Sequence, residues 1–130
     1  MTKQKISLII PLVLSTGLII QCWINILTTD ILANWRHYTG IGLFLILLVL
    51  YFKSYKLTII GTGVFLILAT FNVLSITAQI STSGLKIGPI QTPSIQLLSL
   101  GLFILYSILN FDPIIDIYLK YKNAGRTKDN

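Results

Sequence analysis

Long apolar stretches alternate with short polar ones along this chain. Residues 6–29, 57–85 and 87–111 contain no charged side chain. An uncharged, mostly apolar run of about 20 residues matches the hydrocarbon thickness of a bilayer when coiled as a helix. Backbone in lipid must satisfy its own hydrogen bonds, so each such run is expected to be helical. The pattern predicts four spans, over residues 6–27, 34–55, 57–80 and 94–111.

The connections are short. Residues 28–33 join the first two spans, with Asp30 as the expected N-cap of the second. Lys53, Ser54, Tyr55 and Lys56 join spans two and three into an expected antiparallel hairpin. Residues 81–93 form the longest link, where Gly84, Gly88 and Pro89 read as turns. Thr92 and Pro93 have the form of an N-cap followed by proline at the first helical position. Asp112 and Pro113 repeat that signature after the fourth span. They predict a short amphipathic helix over 113–122, lying in the membrane interface with Tyr118 and Tyr121 at headgroup depth and Asp116 and Lys120 paired one turn apart. An extension of the fourth helix around a kink is the competing reading of that segment. Residues 123–130 are polar and expected to be disordered. The predicted fold is therefore all-α: a polytopic membrane protein with one domain over 1–122, a four-helix transmembrane bundle and a C-terminal amphipathic interfacial helix.

Composition strengthens this picture. The hydrophobic fraction is 54% and the mean hydropathy +0.81, too apolar for an ordinary soluble domain. The net charge of +6 would suggest nucleic acid as a partner, but the basic residues flank apolar segments instead of forming a patch. No nucleic acid is expected. With a cytoplasmic N-terminus, Lys3, Lys5, Lys53, Lys56, Lys120, Lys122, Arg126 and Lys128 lie inside, and only Arg36 and Lys86 outside. The positive-inside rule then puts both termini of this integral membrane protein in the cytoplasm. Trp23 and Trp35 fall near the outer interface, and Tyr51, Tyr55, Tyr118 and Tyr121 near the inner one, as aromatic belts require. Lys3 and Lys5 before an apolar run also resemble a signal peptide. The run is longer than the usual signal core and Gln21 is a poor cleavage residue, so a retained span is expected.

The candidate chemistry is sparse. Asp30, Asp112, Asp116 and Asp129 are the only acids and none lies in a predicted span. Ion-coupled transport usually needs an ionisable group at membrane depth. No nucleophile elbow, zinc-binding helix motif or P-loop is present. The single cysteine, Cys22, excludes an internal disulfide and a cysteine metal cluster. No catalytic residue, metal or cofactor is expected.

Uncharged polar residues inside the spans are the remaining signal. On one continuous third helix, Asn72, Ser75 and Gln79 would share a face. Gln21 and Asn25 lie one turn apart on the first span, and Gln96 and Ser99 on the fourth. In the predicted topology these residues, with His37, fall in the outer half of the bilayer. They are either helix–helix glue, the default for polar side chains in hydrocarbon, or the lining of an outward pocket. The expected function is that of a small non-enzymatic membrane protein acting through protein–protein contacts, as an accessory subunit, regulator or immunity-type factor. Its partners would be the lipid bilayer and a membrane protein or a second copy. The alternative is a homo-oligomeric channel or facilitator for a small solute, using Gly61, Thr62 and Gly63 across the inner half.

Overall fold

The computed structural model describes residues 3–29, 32–78, 82–83, 86–87, 90–91 and 95–126, with side chains over 6–29, 32–78 and 95–123. The helices among these are α1 (Lys3–Thr28), α2 (Trp35–Lys53), α3 (Tyr55–Thr70), α4 (Leu97–Leu109) and α5 (Phe111–Arg126). The long link forms two antiparallel ladders: β1 (Thr82–Ser83) pairs with β4 (Ile95–Gln96), and β2 (Lys86–Ile87) pairs with β3 (Ile90–Gln91). The glycines and proline expected there as turns, and Thr92 and Pro93, lie outside the described residues.

The all-helical class holds, and among the described residues two to three of the four expected spans are long and apolar enough to cross a membrane. The 26 residues of α1 and the 19 of α2 make both long and apolar enough to cross a membrane. The 16 residues of α3 and the 13 of α4 rise only about 24 and 20 Å. α4 and α5 meet at a bend of 72°, and taken together they make a third candidate span. The bend follows from sequence. Pro113 has no N–H to give the Leu109 carbonyl, so a continuous helix through residue 110 would lose a hydrogen bond there.

Several element ends differ from expectation. α2 is capped by Asn34, not Asp30, which lies outside the described residues. Ser54 alone separates α2 from α3. α4 begins at Leu97 after Gln96, three residues inside the predicted start. α5 begins at Phe111, which puts Asp112 inside the first turn instead of at the cap, and runs through Arg126 into the segment expected to be disordered. Pro113 sits in that same first turn, where its missing N–H would have no helical partner in any case.

The largest difference is the third span. α3 stops at Thr70, ten residues short of its predicted end. Asn72 adopts φ 58°, the left-handed region that only glycine and a few short polar residues tolerate. Its N–H donates to the Ala69 carbonyl at 3.1 Å and the Val73 N–H to the Leu68 carbonyl at 2.9 Å. Those two bonds are the Schellman pattern of a helix end, with asparagine in the usual glycine position. The chain then runs irregularly across the start of α2, where the Ser75 N–H donates to the Arg36 carbonyl at 3.1 Å. Leu74, Ser75 and Ile76 are all buried.

Three antiparallel contacts hold the helices. Phe44 and Phe65 stack α2 on α3, with ring centroids 5.8 Å apart. The Tyr106 ring packs on Gly63 to join α4 to α3. Ser7 and Asn110 join α1 to the end of α4. Trp23 meets Tyr38 edge-on at 5.5 Å, so α1 also touches α2. The core these contacts enclose includes Leu8, Leu12, Phe44, Leu66, Leu102 and Tyr106.

Candidate functional site

Two polar clusters lie between the helices, one at each end of α4. At its start, the Gln96 amide donates to Asn72 Oδ1 at 2.8 Å, and the Ser99 hydroxyl donates to Gln96 Oε1 at 2.9 Å. Gln96 and Ser99 are buried. At the far end, Asn110 is fully buried and makes three side-chain bonds. Its Oδ1 accepts from the Ser7 hydroxyl at 3.1 Å, and its Nδ2 donates to the Ser7 carbonyl at 3.3 Å and the Tyr106 carbonyl at 3.1 Å. One turn earlier the buried Tyr106 hydroxyl donates to the Ile59 carbonyl of α3 at 2.6 Å.

The structure describes seven of the eight polar residues singled out from sequence, and the hydrogen bonds above join three of them. Asn72, Gln96 and Ser99 meet as a chain of hydrogen bonds. Asn72 and Ser75 do not share a helical face, because α3 ends before both. Ser75 is buried apart from that chain, and its hydroxyl donates to the Thr77 carbonyl at 2.8 Å. Gln79 lies outside the described residues. Gln21 and Asn25 line a cleft of about 250 Å³ with Cys22, Thr77 and Leu98. His37 is buried, and its Nδ1 accepts the Asn34 N–H at 3.1 Å across the first turn of α2. Its Nε2 and the Arg36 Nε have no partner among the described residues.

Two participants were not apparent from sequence. Tyr106 sits within an apolar run, and its partner is a main-chain carbonyl that carries no side-chain signature. Ser7 did have a signal. Pro11 lies four residues later inside α1 and cannot donate to the Ser7 carbonyl, which leaves that oxygen for a donor from elsewhere. Asn110 supplies one.

A further open feature, between described residues of α1 and α4, is apolar. A groove of about 660 Å³ runs between α1 and α4, lined by Val13, Leu14, Gly17, Leu98, Gly101 and Leu105 among others. A Cβ added at Gly17 or Gly101 would meet nothing within 4 Å. No protein-family model, curated protein or solved structure matches this chain.

Proposed function

We propose that this chain is a small non-enzymatic integral membrane protein that acts through protein–protein contacts, as an accessory subunit, regulator or immunity-type factor of a membrane partner. The α1–α4 groove is the observation that carries the reading. Association of helices in lipid depends on close packing, because lipid tails are as apolar as leucine, and small residues let backbones approach. A groove floored by Gly17 and Gly101 offers that approach to a transmembrane helix of the partner. The buried amides fit the same reading, since they bond across helices as glue.

In this proposal the chain crosses the bilayer four times, with both termini cytoplasmic. α3 is completed by the irregular segment 71–78. Such backbone is tolerated at membrane depth only where protein covers it, and Leu74, Ser75 and Ile76 are buried. A homo-oligomeric channel is less well supported. A conduit needs polar groups facing a continuous path, and Asn72, Gln96, Ser99, Tyr106 and Asn110 bond within the chain.

The test is native mass spectrometry of the protein extracted gently from its own membrane, alongside Gly17→Leu and Gly101→Leu. The parent is expected in a heteromeric complex. The variants are expected to keep the parent's thermal stability in detergent, because a Cβ at either position meets nothing within 4 Å and the groove beside them is open, and to lose the partner. A parent found as a defined homo-oligomer transfers the assignment to the channel, and variants that retain the partner remove the groove from it.

A further inference from the structure

We propose that α5 and the adjoining end of the α2–α3 hairpin form a docking surface for anionic lipid headgroups. At 100° per residue, α5 divides into three arcs. Pro113, Ile114, Ile117 and Tyr121 fall on one, and the first three are buried or half-buried against the bundle. Asp112, Asp116, Lys120 and Asn123 fall on a second, polar arc. The third holds Phe111, Ile115, Tyr118 and Leu119, which are 61%, 38%, 63% and 46% exposed. Lys122 lies at its centre and is exposed.

Three observations commit this third arc to a lipid surface. The 72° bend turns α5 away from the axis of α4 and toward the membrane plane if α4 stands upright. An exposed row of aromatic and branched side chains suits the boundary between acyl chains and headgroups. The nearby charge is mainly basic: Lys56 Nζ sits 4.6 Å from the Tyr121 ring centroid, Lys56 and Lys120 line one cleft with Asp116, and Lys53, three residues before Lys56, and Lys122 are exposed. Asp112 and Asp116 lie on a different arc from Lys122. Clustered lysines beside a membrane attract anionic lipid, and the attraction fades over a Debye length.

The experiment places the full chain in nanodiscs of mixed phosphatidylcholine and phosphatidylglycerol and reads the lipids it retains by native mass spectrometry. The parent is expected to retain phosphatidylglycerol over phosphatidylcholine by on the order of tenfold at low salt, falling toward the bulk ratio at high salt. Combining Lys53→Gln, Lys56→Gln and Lys122→Gln is expected to bring the low-salt ratio to that of the bulk lipid. If the triple variant loses its helical circular dichroism, Lys122→Gln alone decides, with an expected fall of about threefold. Retained lipid at the bulk ratio in the parent, or a lysine variant that keeps the parent's preference, overturns the proposal. The surface presupposes membrane residence, so failure of the parent to enter nanodiscs of either lipid would instead sink the membrane reading itself.

Discussion

Pro11 and Asn110 explain one another. Proline inside a helix removes one hydrogen bond and frees the carbonyl four residues back. In α1 that carbonyl belongs to Ser7, and Asn110 Nδ2 donates to it. The same amide accepts the Ser7 hydroxyl, and exchanging its two ends would turn its oxygen onto the Ser7 and Tyr106 carbonyls, which can only accept. Asn110→Leu is expected to destabilise the protein by about 1–3 kcal/mol, because it withdraws partners from buried polar groups. Adding Pro11→Ala returns an N–H to the Ser7 carbonyl and is expected to recover part of the loss. Thermal unfolding in detergent reads both. An Asn110→Leu variant as stable as the parent, or a double variant no better than the single, would contradict this account.

At the scale of elements, the contact of segment 71–78 with α2 rests on one glycine. A Cβ on Gly40 would lie 2.6 Å from the Ser75 carbonyl oxygen, whereas one on Gly42 would meet nothing within 4 Å. Backbone cannot swing aside as a flexible side chain can. Gly40→Ala is expected to cost about 1–3 kcal/mol through overpacking. Gly42→Ala is expected to be neutral or slightly stabilising, because alanine favours helix more than glycine does. Equal melting temperatures for the two variants would mean that segment 71–78 does not press on α2. The sequence made α1 and α2 legible because each is a mostly apolar run of 19 residues or more. It hid the end of α3, since the apolar run continues past Thr70 and only the backbone angle at Asn72 marks the stop. It hid the polar grouping for the same reason, because a face shared by Asn72 and Ser75 presupposes a helix that has already ended. Gln96 and Ser99 do bond to one another, but Gln96 belongs to β4 and sits at the N-cap of α4, outside its first turn.

At the scale of the whole molecule, the proposed orientation makes a prediction about reach. Cys22 is buried in α1, so Cys22→Ala supplies a background for added thiols. In that background, Trp35→Cys is expected to react from outside intact cells with a maleimide that cannot cross membranes. Lys122→Cys is expected to react only after the membrane is opened. Trp35 is 58% exposed and Lys122 is exposed, so burial does not confound the comparison. The reverse labelling would invert the topology.

The bond between Ser7 and Asn110 joins residues 103 positions apart. During synthesis α1 emerges before Asn110, so α2, α3 and α4 must all be made before that clasp can close. Until then the Ser7 carbonyl waits in the membrane without the Asn110 amide. The clasp is thereby a late event, which ties the first turns of α1 to a residue made three helices later.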